Sequence, residues 1–258
     1  MITAASNSRI KRLVQLNQKS KLRRTEDVFL AEGVKMFLEA PRKQLQEVFV
    51  SESFLEKCSC REHLEEVGYE VVSDSVFSKI SDTCTPQGVL CVLKQFHYNI
   101  EEMLRDKAPL FLLLENIQDP GNLGTMLRTG EGAGVSGIIM SRDTVDLYNP
   151  KVIRSTMGSI YRVPFYYADD FAAAVHQVQQ AGVSVYAAHL RGKNSYACQD
   201  YTKGTAFLIG NEGNGLREET AELADCYIRI PMEGKVESLN AAVASSILMY
   251  EAHRQRAI

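Results

Sequence analysis

The chain contains 258 residues, of which 45% are hydrophobic, and its formal net charge is −3. A chain of this size can bury a substantial core, and two small domains fit its length better than one large domain. No apolar run approaches the roughly 20 residues that a membrane-spanning helix needs, and no charged-then-apolar signal segment opens the chain. We therefore predict a soluble cytoplasmic protein with no membrane association.

The six cysteines fit neither a disulfide framework nor a metal site. They form no CxxC pair, and no histidine stands at zinc-ligand spacing from them. We predict reduced, mostly buried thiols and no bound metal.

The first 25 residues carry basic side chains and no acidic one: Arg9, Lys11, Arg12, Lys19, Lys21, Arg23 and Arg24. On a helix, Ile10, Leu13, Val14 and Asn17 would share one face and leave much of the basic surface exposed. Such an arm suits contacts with RNA phosphates. An ordinary solvated amphipathic helix and an organelle transit peptide remain open alternatives.

The rest of the first hundred residues alternates short strands and helices. The pattern predicts strands at 28–31, 46–51, 69–73 and 88–94, with helices at 34–39, 60–67 and 75–80 between them. A polar stretch at 97–109 then ends in a proline before a new apolar strand. We predict a small α/β domain over residues 1–106 and a second domain over 107–258.

In the second half of the chain, predicted strands and helices alternate more regularly. The pattern predicts strands at 110–114, 137–140, 184–188, 206–209 and 227–230, and helices at 123–132, 170–180, 218–223 and 239–256. Apolar strands separated by helices indicate an α/β fold with a parallel sheet that is covered on both faces. The last helix repeats apolar and small residues at helical spacing, so we expect this face to be buried in the core or against a second subunit: Leu239, Ala242, Val243, Ser246, Ile247 and Tyr250.

Three stretches rich in Gly, Asn, Ser, Glu and Arg follow predicted strands, at 116–128, 210–216 and 230–240. Loops at the carboxyl ends of parallel strands are where open α/β sheets bind ligands. A further glycine pattern, Gly132-Ala-Gly-Val-Ser-Gly137, matches GxGxxG but follows a helix and leads into a strand. The dinucleotide fingerprint requires the opposite order, and no Walker A loop is present, so we predict neither a nicotinamide or flavin site nor ATP-dependent phosphate transfer.

The three stretches read Asn122-Leu-Gly-x-x-x-Arg128, Gly210-Asn-Glu-Gly-x-Gly215 and Ile230-Pro-Met-x-Gly-x-x-x-Ser-Leu-Asn240. In order and spacing they resemble the three motifs of the SpoU (TrmH-like) RNA ribose 2′-O-methyltransferases, and the resemblance covers residues 109–256. It implies a homodimeric enzyme that uses S-adenosylmethionine and has a carboxyl-terminal trefoil knot. A knot runs against the general expectation for protein chains, so that feature rests on the resemblance alone.

The resemblance assigns the methyl donor to the second and third motifs. The family's donor contacts fall on Gly210, Ile230 and Leu239, while Met232 can add an apolar wall. We expect the glycines at 210, 213 and 215 to let the backbone approach the adenosine and adopt positive φ.

The same resemblance gives catalytic roles to Arg128, Asn122, Glu212, Ser238 and Asn240. The Arg128 guanidinium can fold back over Gly124 toward the first loop. It acts either as a cation that stabilises the developing alkoxide and grips a phosphate, which we favour, or as a general base.

The other site residues have structural roles to weigh as well. Asn122 and Ser238 each precede a predicted helix and could also be N-caps. Asn240 would sit in the first helical turn and orient Arg128, the ribose or the cofactor loop, and Glu212 would hold Arg128 or backbone amides.

Residues 1–95 resemble the ribosomal-protein-like substrate-binding domain that many family members carry. The segment Phe29-Leu-Ala-Glu-Gly-Val is closer to members that modify ribosomal RNA, so we expect 23S ribosomal RNA as the substrate. Transfer RNA, a noncatalytic RNA-binding module, and methylation of a protein or small molecule are the alternatives. The loop with His189 and Arg191 lies where family members vary, which leaves its contacts open.

Overall fold

The computed structural model describes residues 1–257, which form two compact units. One unit comprises Met1–Phe96 with Asp146–Tyr161, and the other comprises His97–Val145 with the chain from Arg162 onward. The change of unit therefore comes at residue 96, earlier than the predicted residue 106. The physical reason is a short helix, α7 (Ile100–Met103), whose Ile100 and Met103 are buried in the core of the second unit beside Phe111.

The first unit is built on a four-stranded sheet. Its strands are β1 (Val28–Glu32), β2 (Leu45–Ser51), β3 (Glu70–Val72) and β4 (Val89–Lys94), in the order β1-β4-β2-β3. β4 is antiparallel to both neighbours, while β2 and β3 are parallel. The helices are α1 (Ser8–Gln18), α2 (Ser20–Glu26), α3 (Val34–Leu38), α4 (Glu52–Lys57), α5 (Arg61–Val67), α6 (Asp74–Ile80) and, from the later segment, α9 (Pro150–Thr156).

The basic amino-terminal segment forms α1 and α2, and much of its charge is neutralised within the first unit. Arg9 pairs with Glu47 at 3.0 Å and Glu70 at 2.8 Å. Arg12 pairs with Glu26 and Glu47, each at 2.6 Å. Arg23 is only 3% exposed; it pairs with Asp146 at 2.5 Å and donates to the Leu16 carbonyl.

The pairing limits the predicted basic arm, because three of its seven cations are already bound to carboxylates. The acids that neutralise these arginines lie on other elements, so a scan of the first 25 residues could not find them. Within residues 1–257, the exposed cations of the segment that make no hydrogen bond or ion pair are Lys11, Lys19, Lys21 and Arg24.

The second unit contains a seven-stranded sheet in which all paired strands are parallel, as predicted. The order is β7-β6-β5-β10-β8-β11-β9. The strands are β5 (Leu110–Leu114), β6 (Gly137–Ser141), β7 (Phe165–Ala168), β8 (Ser184–Ala188), β9 (Asn194–Ser195), β10 (Thr205–Ile209) and β11 (Cys226–Arg229). The edge strands β7 and β9 and the helix α7 were not predicted, because each is too short to display a periodic pattern. The helix α9 was also not predicted.

Helices pack around this sheet. Along β5, Phe111 and Leu113 point into the cluster that contains α10 (Phe171–Gln180), while α8 (Pro120–Ala133) and α12 (Ala241–Arg256) pack on each other. α12 also contacts β5 and β10, and α11 (Glu218–Ala221) follows the loop after β10. Every residue of β5 is buried, as its continuous apolar sequence indicates.

The face of α12 that packs inside the unit differs from the predicted face. The buried residues are mostly small: Ala241, Ala242, Ser245, Leu248, Met249 and Ala252. Of the predicted stripe only Ala242 is buried; Val243 and Tyr250 are 48% and 49% exposed, and Leu239 precedes the helix. Small residues allow α12 and α8 to approach closely, whereas a search for large apolar residues selects the opposite face.

Arg256 fastens the end of α12. Its guanidinium donates to the carbonyls of Tyr201 at 2.8 Å, Ala108 at 2.8 Å, Pro109 at 3.3 Å and Lys203 at 2.6 Å. Burial lowers its pKa below the ordinary arginine value. The last turn of the helix is thereby bound to the segments that lead into β5 and β10.

The thiols are less buried than predicted. Only Cys91 is buried, Cys84 and Cys198 are exposed, and the other three are partly exposed. Burial raises the pKa of the Cys91 thiol well above its ordinary value. Among residues 1–257, no group of His, Cys, Asp and Glu side chains is placed to hold a metal ion, and no helix is long and apolar enough to cross a membrane.

Candidate functional site

The loops after β5, β10 and β11 emerge at one edge of the second sheet, because these strands are parallel. Ile209 of β10 lies beside Leu114 of β5, so the first and second loops begin side by side. The second and third loops, with residues 188–190 after β8, line a cleft of about 320 Å³. The residues predicted to bind the donor all line this cleft: Gly210, Gly215, Ile230, Met232 and Leu239.

At Gly210, the wall of the cleft consists of two backbone segments in very close contact. A Cβ atom on Gly210 would lie 2.2 Å from the Gly215 carbonyl carbon and 2.2 Å from the Leu216 nitrogen. Asn211 and Gly215 exchange backbone hydrogen bonds of 3.0 and 2.9 Å, and Gly215 has a φ of 70°. The prediction of positive φ is therefore correct for Gly215 and wrong for Gly210 and Gly213; at Gly210 the need for glycine is steric.

Asn211 shapes the second loop, although it was not among the predicted site residues. Its Oδ1 accepts hydrogen bonds from the amides of Gly213 and Asn214, at 3.0 and 3.1 Å. Its Nδ2 donates to the Asn116 carbonyl at 2.8 Å, which ties the second loop to the first. The available signal was a turn-forming asparagine between two glycines.

One side chain from each loop joins a continuous chain of hydrogen bonds. Asn122 Nδ2 donates to Glu212 Oε1 at 3.0 Å, and Asn240 Nδ2 donates to Asn122 Oδ1 at 2.9 Å. Glu212 also accepts from the amides of Gln118 at 3.1 Å and Asp119 at 3.0 Å. The three motifs, separated in sequence, therefore meet in one polar cluster beside the cleft.

The cluster keeps Glu212 ionised. Burial alone would raise the pKa of Glu212, but the hydrogen bonds from Asn122 and from the amides of Gln118 and Asp119 outweigh it and lower the pKa. Among residues 1–257, no hydrogen bond or ion pair joins Glu212 to Arg128. Of the two predicted partners, the carboxylate binds backbone amides, and these amides belong to the first loop.

The caps of both helices differ from the predictions. α8 begins at Pro120 and its N-cap is Asp119, which accepts from the Asn122 amide at 2.7 Å, so Asn122 is not the cap. α12 is capped by Asn240, whose Oδ1 accepts from the amides of Ala242 and Val243, so Ser238 is not the cap. Proline suits the first helical position, which moves the start of α8 ahead of the apolar pattern.

Arg128 and Ser238 stand apart from the cluster. Both side chains are exposed, and within residues 1–257 neither makes a hydrogen bond or ion pair. Ser238 lines the cleft, while Arg128 lies on α8 one turn after the buried Gly124. The predicted orientation of Arg128 by Asn240 or Glu212 is not observed, and its guanidinium is available to an anion.

His189 lines the cleft beside the predicted donor residues. Its ring lies 5.0 Å from the Tyr227 ring, and its Nδ1 accepts from the Arg191 amide at 3.1 Å. Burial, and secondarily the charge of Arg191, lowers the pKa of His189. Arg191 itself pairs with Glu218. A neutral imidazole therefore borders the cleft, in a loop whose contacts the sequence left open.

Comparison with known proteins bears on both halves of the chain. Residues 109–250 match the model of the SpoU rRNA methylase family, and residues 7–91 match an MRM3-like substrate-binding domain.

Two relatives with assigned names agree with these matches. The chain is 32% identical over 252 residues to the 23S rRNA (guanosine(2553)-2′-O)-methyltransferase RlmP of Bacillus subtilis (strain 168), covering 96% of this chain and 97% of that protein. It is 33% identical over 183 residues to the 23S rRNA (guanosine-2′-O-)-methyltransferase RlmB of Ralstonia nicotianae, covering 69% of this chain and 74% of that protein.

The fold is also that of a solved relative. The AdoMet-bound rRNA methyltransferase from Sinorhizobium meliloti superimposes with a TM-score of 0.85 and 31% identity, covering 98% of this chain and 97% of that one. The family match spans more than half of the chain, and the resemblance inferred from the three motifs is confirmed. The chain belongs to the SpoU rRNA methylase family.

Proposed function

We propose that the protein transfers a methyl group from S-adenosylmethionine to a ribose 2′-hydroxyl of RNA, with 23S ribosomal RNA as the substrate. The observation that carries this proposal is the hydrogen-bonded cluster of Asn122, Glu212 and Asn240 at the edge of the glycine-walled cleft. The names of the relatives RlmP and RlmB support the choice of RNA and of the 2′-oxygen.

The cleft suits S-adenosylmethionine. Its volume of about 320 Å³ falls within the range of small-molecule sites. The backbone of Gly210 and Gly215 lines the cleft, with open space beside Gly215 for a flat adenosine, and Ile230, Met232 and Leu239 supply apolar walls. When bound, S-adenosylmethionine supplies an electrophilic methyl group on a sulfonium.

Arg128 is the residue proposed to act on the ribose. Its exposed and unpaired guanidinium can hold an RNA phosphate and stabilise negative charge that develops on the 2′-oxygen. Action as a general base would require a neutral arginine at pH 7, which costs about 7 kcal/mol for a pKa of about 12.5. Cationic stabilisation is therefore the favoured role.

The polar cluster is proposed to position the ribose. Asn122 is fixed from two sides by Glu212 and Asn240, and one of its two amide hydrogens is not used by Glu212. Ser238 offers a further hydroxyl on the cleft wall. Glu212 organises the first loop and does not drive the reaction, because a carboxylate near the sulfonium would favour the charged ground state over the transition state.

The first unit, Met1–Phe96 with Asp146–Tyr161, is proposed to bind the RNA substrate, and the second unit is proposed to carry the catalytic site. The match of residues 7–91 to a substrate-binding domain supports this division. Phosphate contacts are proposed for the unpaired cations Lys11, Lys19, Lys21 and Arg24, since Arg9, Arg12 and Arg23 are already paired with carboxylates.

We also propose a cytoplasmic homodimer with a trefoil knot at its carboxyl end. The exposed face of α12 supports the dimer. On this face Val243 and Tyr250 are half exposed, and Ile247 lies between them. The packing of α12 against β5, β10 and α8 is compatible with the knot.

The test is transfer of labelled methyl groups to separate pools of unmodified 23S ribosomal RNA and transfer RNA. The proposal expects label in 23S ribosomal RNA and a large loss of label in an Arg128→Ala variant. Label in transfer RNA alone would show that transfer RNA, and not 23S ribosomal RNA, is the substrate. RNA binding without any transfer would point to a noncatalytic module, and label outside RNA would refute the RNA substrate.

A further inference from the structure

A buried carboxylate outside the predicted site binds the residues that directly follow the cleft-lining second loop. Glu115, the residue after β5, is 1% exposed. Its Oε2 accepts from the Arg217 amide at 2.9 Å, and its Oε1 accepts from the Thr220 hydroxyl at 2.5 Å. Arg217 is the N-cap residue of α11 and makes no side-chain cap of its own. Glu115 therefore holds the N-cap residue and a side chain of the first turn of α11 from outside the helix.

Glu115 and its neighbour hold the second loop at both ends. Asn116 has a φ of 54°, and its carbonyl accepts from Asn211 Nδ2 at the start of the loop. Glu115 binds the Arg217 amide at the end of the loop. Residues 210–216, which line the cleft, are thus fastened at entry and exit to two consecutive residues of the first loop.

A second contact, which is exposed, also holds the end of the second loop. The Arg217 guanidinium lies 3.5 Å from Glu115 Oε1 and pairs with Asp143. Asp143 accepts from the Ser141 hydroxyl at 2.5 Å, and that hydroxyl accepts from the Asn116 amide at 2.8 Å. Exposed ion pairs contribute little, whereas a buried donor without an acceptor is costly. The buried contacts of Glu115 therefore dominate.

We propose that Glu115 is a positioning residue for the methyl donor: it fixes the shape of the cleft through the Arg217 amide and the Thr220 hydroxyl, without touching the donor. This inference rests on the proposed function, in that the cleft holds S-adenosylmethionine. Loss of Glu115 removes the acceptor of the buried Thr220 hydroxyl and of the partly buried Arg217 amide, and it frees the end of the loop. Donor affinity falls, while RNA affinity does not depend on this contact.

The test compares Glu115→Ala with Glu115→Gln. A glutamine can accept from the Arg217 amide and donate to the Thr220 hydroxyl, which can also serve as an acceptor. We expect Glu115→Ala to raise the Kd and KM for S-adenosylmethionine about tenfold or more, with an unchanged KM for RNA. Glu115→Gln should restore most of the donor affinity. Hydrogen exchange of the amides of residues 213–217, measured without the donor, should be faster in Glu115→Ala.

Glu32 provides a matched control. Its carboxylate accepts hydrogen bonds from the Ser81 and Thr83 hydroxyls in the first unit. Glu32→Ala should leave the Kd for S-adenosylmethionine unchanged, which separates a specific effect from the general loss of a bonded carboxylate.

Wild-type donor affinity in a folded Glu115→Ala protein would overturn the inference and leave the proposed function intact. If Glu115→Ala does not fold, Thr220→Val removes one donor with little change in volume, and wild-type affinity in that variant would overturn the inference equally. A wild-type protein that fails to bind S-adenosylmethionine would refute the proposed function, and the role of Glu115 with it.

Discussion

Gly210→Ala is expected to distort the wall of the cofactor cleft. The new Cβ atom would lie 2.2 Å from the carbonyl carbon of Gly215 and the nitrogen of Leu216, where an ordinary carbon contact needs about 3.5 Å or more. Both neighbours are backbone atoms in the turn that Asn211 and Gly215 close with two hydrogen bonds. The backbone must therefore move by more than an ångström.

The expected magnitude follows from the cost of such a movement. Overpacking that forces backbone shifts costs about 1–3 kcal/mol, and about 1.4 kcal/mol corresponds to a tenfold change in affinity. Part of this cost falls on the loop itself, so we expect S-adenosylmethionine to bind about tenfold to a hundredfold more weakly. Isothermal titration calorimetry of the purified protein measures the change directly.

Gly213→Ala is the matched control in the same loop. A Cβ atom there meets only Asn211 Oδ1, at 3.5 Å, and Gly213 does not have a positive φ. The loss of affinity should be far smaller than for Gly210→Ala. Equal affinities of the two variants, or wild-type affinity in Gly210→Ala, would refute the assignment of the cleft to the donor.

Four further predictions test separate parts of the account. Glu212→Gln should lower the melting temperature at pH 7, because the ionised carboxylate of Glu212 stabilises the fold. Since the pKa of Glu212 is lower in the folded protein, this stabilisation is complete above the unfolded pKa of about 4.3 and is lost as the pH falls through the folded pKa. The difference in melting temperature from wild type should therefore vanish at acid pH. Arg128→Lys should reduce kcat about a hundredfold with unchanged donor affinity, and an undiminished rate with an unchanged pH profile would exclude both proposed roles. Arg256→Ala should lower the free energy of unfolding by about 2–4 kcal/mol in urea titrations, since it removes charge-assisted bonds to backbone carbonyls. Lys21→Gln combined with Arg24→Gln should reduce the salt dependence of RNA binding by about one unit of slope per lost phosphate contact, and an unchanged slope would remove these cations from the interface.

Much of the fold could be predicted because it depends on local pattern. The five predicted strands of the second sheet were placed within about one residue of their observed bounds, as expected for long apolar runs between glycines and polar loops. Short edge elements such as β9 carry no period and were missed. The packing face of α12 was missed because Ala242 and Ser245 do not look like core residues until α8 lies against them.

For the candidate site, the residues could be predicted from the sequence but their contacts could not. Motif spacing identified Gly210, Asn122 and Glu212, but not which atoms they contact. The link from Asn122 to Glu212 spans residues that are far apart in sequence, and so does the bond from Glu115 to the Arg217 amide. Such contacts depend on the neighbouring positions of β5 and β10 in the sheet, which the order of elements along the chain does not specify.

The partners of the amino-terminal arginines show the same limit. Arg9 and Arg12 appeared free because acids are absent from the first 25 residues. In the fold they meet Glu47 on β2, and Arg9 also meets Glu70 on β3. A count of charges along the sequence therefore overstated the cations that RNA can reach.

The most direct test of the central claim is the chemical position of the transferred methyl group. Unmodified 23S ribosomal RNA is incubated with the protein and S-adenosylmethionine, digested to nucleosides and analysed by mass spectrometry. We expect a single ribose-methylated nucleoside, which the Asn122→Ala and Arg128→Ala variants fail to produce. A methyl group on a base, or equal yields of the ribose-methylated product from wild type and both variants, would contradict it.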